Sequence, residues 1–333
     1  IEGTDAGLRS ALVTSRADGS DATRVDTGDA PPFYLAWSPD GSQLAALGGG
    51  ERGLALREVE VAGGSDATVL AEGQPLYFAW SPDGGRMITH LNDEQVSLVE
   101  ADGTATELDP ASASFGAPDW LADGAAFVYA QRAGGRDKLV LADPSGAILR
   151  DLAALEGGAS FSVSPDGRRV AFIDTADLAP TAAFGPLALA DLQGDAAPQV
   201  IDEGPVIAFF WSPAGDRLAY LTLGNHAEQG PRASLSPTLE ANHLNLWLQW
   251  NVWDGAAAFE LSQFRPSDTF LVDYLRFFDQ YARSMTPWAP DGSAFVYAGD
   301  SEDEIPGVWL QPADAGAQPL RLGDGVYAAW SPR

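Results

Sequence analysis

The chain has 333 residues, with 19 basic against 47 acidic side chains, a formal net charge of −28 and no cysteine. That charge repels phosphate backbones and anionic lipid, which excludes nucleic-acid binding. The missing thiol excludes disulfides, thiolate metal sites and cysteine catalysis. No apolar run reaches the roughly 18 residues of a spanning helix, so no transmembrane segment is expected.

From the N-terminus, Leu8–Thr23 reads as a strand, a Gly-Ser-Asp-Ala-Thr turn and the start of a second strand, and it aligns with Gly53–Thr68. A five-letter phrase then organises the chain. It appears as Trp37-Ser38-Pro39-Asp40-Gly41, Trp80-Ser81-Pro82-Asp83-Gly84, Trp120-Leu121-Ala122-Asp123-Gly124 and Val163-Ser164-Pro165-Asp166-Gly167. It returns as Trp211-Ser212-Pro213-Ala214-Gly215, Trp288-Ala289-Pro290-Asp291-Gly292 and Trp330-Ser331-Pro332-Arg333. Pro presets φ, Asp bonds its own backbone and Gly takes positive φ, so the phrase is a turn between two strands of a hairpin. Two further strands per unit, as in Leu54–Val59 and Ala67–Leu70, make four. Successive phrases start 40–48 residues apart, with one interval of 77, a period that predicts an all-β, seven-bladed β-propeller of four-stranded antiparallel blades. The phrase Trp is expected in the core between blades and the phrase Asp in the turn, rather than as ligands.

Val326–Trp330 is expected as the first strand of a last blade shared by both termini, with Leu8–Thr23 supplying its third and fourth. The second strand is expected either from chain beyond these 333 residues or from Ile1–Gly7; the first is favoured, since Ile1–Gly7 has poor strand propensity. The start at Ile points to a removed or omitted leader. The whole span 1–333 is read as one domain.

The long interval holds two insertions, 224–243 and 264–284, expected on one face. In the second, Ser267 or Asp268 can cap a helix near 268–283. Phe270, Tyr274, Phe277, Phe278 and Tyr281 fall on one face of it, and Arg283 lies near its C-terminus. Two expectations stand side by side. Either the helix buries its aromatic stripe on its own propeller, or part of the stripe docks a partner. Candidate partner-binding residues are His226 and His243 at the ends of the long loop, Tyr274, Phe277, Phe278 and Tyr281 on the helix, and the acidic loop Asp300, Glu302, Asp303 and Glu304.

Catalytic signatures are absent: no Gly-x-Ser-x-Gly, no Walker loop and no dinucleotide glycine pattern occur. The three histidines, His90, His226 and His243, lack metal-ligand spacing. Run 300–304 lacks the glycine and spacing of an EF-hand. No catalytic residue, metal or cofactor is expected.

The repeated Trp-Ser-Pro-Asp-Gly followed by an apolar strand resembles the propeller repeat of the TolB C-terminal domain and is similar to that of prolyl-oligopeptidase-type propellers. The resemblance implies an exported module that binds protein partners through one face and the central channel. The resulting expectation is a non-enzymatic, extracytoplasmic or surface-tethered protein-interaction propeller. The alternatives are the propeller of a larger hydrolase, or a small-molecule or glycan-binding propeller, including a lyase with clustered histidines.

Overall fold

The computed structural model describes residues 2–4, 7–16, 18–28, 31–61, 67–92, 95–108, 116–175, 184–225 and 246–330 (backbone only at 2–4, 7–9 and 28). The repeated phrase is the local device that turns the first strand of a repeat into the second. In its first copy, the Gly41 N–H donates to the Ser38 carbonyl (2.9 Å) and Gly41 takes φ 72°. Ser38 Oγ donates to Asp40 Oδ1 (2.7 Å) and accepts from the Gln43 N–H (2.9 Å), which fixes the first residue of the returning strand. Where Ala214 replaces the aspartate, Asp216 takes over and accepts from Ser212 Oγ at 2.8 Å.

These turns leave a pH signature. The backbone N–H of Ser42, then the hydroxyls of Ser38 and Ser42, pull the Asp40 carboxyl from 3.8 to about 2. The Ser81 hydroxyl lowers Asp83, and the Ser293 hydroxyl lowers Asp291. A carboxyl depressed in the folded state contributes stability that is complete above its unfolded pKa and vanishes as pH falls through the folded one. The thermal midpoint should therefore drop between pH 3.8 and about 2. An Asp40→Asn variant should start lower and fall less steeply across that window in a pH series of thermal melts.

The chain divides into two compact units, residues 1–133 with 140–150, and residues 134–139 with 151–333. All pairings are antiparallel within the described ladders. First comes a three-stranded sheet of β1 (Glu2–Thr4), β2 (Gly7–Thr14) and β3 (Thr23–Gly28). Three four-stranded sheets follow. One is β4 (Tyr34–Trp37), β5 (Gln43–Gly50), β6 (Gly53–Glu60) and β7 (Ala67–Gly73). The next is β8 (Leu76–Trp80), β9 (Arg86–Leu91), β10 (Gln95–Glu100) and β11 (Ala105–Glu107). The third is β12 (Asp119–Trp120), β13 (Phe127–Ala133), β14 (Arg136–Ala142) and β15 (Ile148–Leu155).

A continuous ten-stranded sheet then carries three repeats. The first is β16 (Gly158–Val163), β17 (Arg169–Thr175), β18 (Gly185–Asp191) and the start of β19 (Gln199–Trp211). β19 runs on into the second repeat, with β20 (Leu218–Leu223), β21 (Leu248–Trp253) and β22 (Ala258–Pro266). The third has β23 (Ala294–Ser301), β24 (Pro306–Pro312) and β25 (Leu320–Gly323), with Trp288 bridging Phe295.

Sheets pack face to face, so their central strands are largely buried; all six residues of β21 are buried, its Gln249 and Asn251 included. Leu12 and Val25 of the first sheet pack on Leu44, Ala46 and Val59 of the second. Trp120, Phe127 and Tyr129 pack on Ile88, Val96 and Leu98. Trp288 is wholly buried and its Nε1–H donates to the Phe210 carbonyl of the preceding repeat at 2.8 Å. Trp80 and Trp211 make the same bond to Ala36 (3.2 Å) and Ser162 (3.1 Å). The expected packing role of the phrase Trp holds at these positions, and the indole adds a bond between sheets.

Two expectations at the termini are corrected. Glu2–Thr4, judged poor strand formers, pair with Gly7–Arg9, because backbone bonding to an existing edge outweighs weak intrinsic preference. Val326–Trp330 is not a strand and does not belong to the β1–β3 sheet. Its backbone is engaged elsewhere: the Val326 carbonyl accepts from Ser267 Oγ, and the Trp330 N–H donates to the Thr286 carbonyl at 2.9 Å.

Candidate functional site

The elaborated part of the second unit begins where β22 ends. Ser267 is the helix cap: its Oγ accepts from the Phe270 N–H (3.2 Å) and its carbonyl from the Leu271 N–H (2.9 Å). The predicted single helix is three short pieces, a π turn Thr269–Tyr274, a 3-10 turn Leu275–Phe277 and α1 (Phe278–Tyr281). The Leu275 N–H reaches back five residues to the Phe270 carbonyl. The wide turn accompanies stacking of Phe270 on Tyr274, centroids 5.6 Å apart.

The stripe turns inward. Phe270, Tyr274 and Phe278 are 1 %, 3 % and 3 % exposed. Tyr274 stacks on Phe210 at 6.0 Å, its hydroxyl donates to the Met285 carbonyl (2.8 Å), and Phe278 meets Phe209 and Phe210 edge-on at 5.1 and 5.8 Å. Tyr274 and Phe278 thus have no face left for a partner. Phe277 and Tyr281 pack on each other at 5.7 Å and stay half-buried.

The acidic loop is the turn between β23 and β24. Its geometry is fixed from three sides. The Glu304 N–H donates to the Ser301 carbonyl (2.8 Å), with Glu304 at φ 59°. Arg265 on β22 grips Asp300 through Nε (2.8 Å) and a second nitrogen, and Glu302 Oε1 accepts from the Gln263 N–H at 3.1 Å. The strands come this close because position 299 is glycine: a Cβ there would lie 2.2 Å from the Arg265 carbonyl oxygen. Asp300 is half-buried against Arg265, while Glu302, Asp303 and Glu304 are exposed, with Ile305 beside them.

Gly224, where the long loop departs, bonds the Trp247 carbonyl (2.8 Å) and lies against Gln263, next to the acidic turn. His226 and His243 lie outside the described residues. His90 is buried on β9, its Nδ1 2.9 Å from the Gly116 carbonyl oxygen, a packing role. Among the described residues, no group of three or more His, Asp or Glu side chains is placed to hold a metal, and no helix is long and apolar enough to cross a membrane. Sequence reasoning missed Arg265, Gln263 and Gly299, since each matters only through pairing of β22 with β23, distant in sequence.

The fold is that of a β-propeller. An oligogalacturonate lyase solved in complex with manganese is similar to this chain at 16 % identity and a TM-score of 0.57, covering 95 % of this chain and 84 % of its own. The oligogalacturonate lyase of Vibrio parahaemolyticus is similar at 14 % and 0.56, covering 94 % and 85 %. A putative TolB from Agrobacterium tumefaciens is similar at 18 % identity over 87 % of this chain and 98 % of its own, with a TM-score of 0.47. No protein-family model matches the sequence, and no curated protein matches it. The expectation that this chain is not an enzyme is withdrawn, because solved structures that share its fold include enzymes, the two oligogalacturonate lyases. The absence of familiar motifs could not decide this, since chemistry on a propeller is assembled from residues far apart in sequence.

Proposed function

We propose that residues 1–333 form one seven-bladed propeller that recognises a protein partner through the end carrying the acidic turn. The observation that carries this reading is the turn itself: three exposed carboxylates, Glu302, Asp303 and Glu304, are held in one conformation by Arg265, Gln263 and the Ser301 carbonyl. A pre-ordered charged turn on a rigid sheet loses little entropy on binding. Its sign, and the net charge of −28, select a partner with a basic surface. The same charge opposes an anionic oligosaccharide of the kind named for the two lyases. Phe277 and Tyr281 are the helix residues that retain surface for contact. His226 and His243 belong to the same proposal as the ends of the neighbouring loop. The repeat's likeness to TolB supports a place outside the cytoplasm.

Carboxylate-reactive crosslinking in the native source tests this. Crosslinks from 302–304 to a basic protein are expected. Glu302→Gln, Asp303→Asn and Glu304→Gln together should weaken capture of that protein roughly ten-fold or more and flatten its salt dependence. An unchanged melting temperature would show the sheet intact. Capture indifferent to the triple variant and to salt would overturn the reading, and fractionation of the source tests its compartment.

A further inference from the structure

Glu58 is a carboxyl shut between two sheets of the first unit. It lies on β6, 9 % exposed, opposite Ala45 of β5 and Thr68 of β7. Residues paired across strands share a face, and so do alternate residues along a strand. Glu58 therefore shares its face with Leu56, Leu47 and Tyr34. The Tyr34 ring meets Phe78 of β8 at 5.6 Å, and the Trp80 indole donates to the Ala36 carbonyl, so this face packs on the β8–β11 sheet. That sheet turns Met87, Thr89, Ser97 and Val99 to the same side as Phe78 and Trp80.

Gln43 Nε2–H donates to Glu58 Oε1 at 3.0 Å, while Oε2 is buried with no hydrogen-bond partner among the described residues. The charged side chains that share its seam are carboxylates: Glu60, next but one along β6, and Glu107, opposite Ser97 at the exposed edge. The nearby bases belong to other faces. Arg57 alternates with Glu58 and bonds the Gly49 carbonyl, and Arg52 pairs with Glu72, which stands beside Ala55. Arg86 and His90 alternate with Ile88, on the side that packs on Trp120 and Phe127, as does Glu100 beside Arg86. The first sheet covers the opposite face of β5 and β6, through Leu44, Ala46 and Val59. Burial, then the Glu60 charge, raise the Glu58 carboxyl above its ordinary 4.5.

We propose that Glu58 is a proton-binding lock: as the neutral acid it closes the seam between the β4–β7 and β8–β11 sheets, and its ionisation weakens that seam as the solution turns from mildly acidic to neutral. The lock is independent of the acidic turn and of the blade count. A carboxyl raised in the folded state holds its proton more tightly there than in the unfolded chain. Its contribution to stability is therefore complete below 4.5 and is lost as pH rises through the folded value. The turn aspartates act in the opposite sense and at lower pH, so one pH series separates the two.

A carboxyl NMR titration of the full chain with labelled glutamate reads the site directly, the Glu58 signal being assigned by its loss in Glu58→Gln and, independently, in Glu58→Asp. Glu58 should titrate above 4.5 in the parent and still do so in Glu60→Gln. The melting temperature of Glu58→Gln should gain on the parent's as pH rises from 4.5, by about 2 °C for each unit of the raised titration. Titration at or below 4.5 overturns the proposal. So does a return to 4.5 in Glu60→Gln, which would make the shift a repulsion between two carboxylates and no property of the closed seam. A raised titration with a melting difference that stays flat across the series overturns the lock, since the seam would then be indifferent to the charge.

Discussion

Phe278→Ala should lower the unfolding free energy by about 3–5 kcal/mol, the usual cost of deleting a buried aromatic ring. Phe278 is 3 % exposed and meets Phe209 and Phe210 edge-on, so its removal opens a cavity between the helical turns and β19. Chemical denaturation is the measurement: the midpoint should fall with an unchanged slope. Phe277→Ala, at a half-buried ring, should cost less. Had the stripe been a docking surface, Phe278→Ala would have left stability untouched. A midpoint within error of the parent would therefore return the aromatic stripe to the list of partner contacts.

Trp288→Ala should be as damaging, again about 3–5 kcal/mol. A second substitution separates the two roles of this indole. Trp288→Phe keeps most of the apolar volume but strips the Phe210 carbonyl of a donor at 2.8 Å, inside a fully buried site. It should cost about 1–3 kcal/mol, the penalty of a buried unsatisfied polar group. If Trp288→Phe is neutral, the indole acts by packing alone.

The architecture was legible because it is written locally and repeatedly. Ser38, Asp40 and Gly41 make their turn within a few residues; the glycine N–H bond recurs at Gly84, Gly124, Gly167, Gly215 and Gly292, and the serine–aspartate bond at Ser81 and Ser164. Even the inward turn of the aromatic stripe was one of two readings open from spacing alone. What spacing could not decide was whether a sheet or a partner covers Phe270, Tyr274 and Phe278, since a helix presents the same face to either. Enzyme or not was likewise unreadable, because motifs report only sites built from contiguous chain. The likeness to lyases, not any residue pattern, corrected that expectation.

The sequence alone thus determined the repeat, its turns, the strand sequence within most units and the acidic surface, all of which rest on interactions between near neighbours or on composition. Only the tertiary structure decided that Glu2–Thr4 form a strand, that Val326–Trp330 lies outside the first sheet, and that Arg265 and Gln263 hold the acidic turn. Each of those depends on which edges and side chains meet across long sequence separations. There, backbone pairing and burial outweigh the local preferences that a sequence displays.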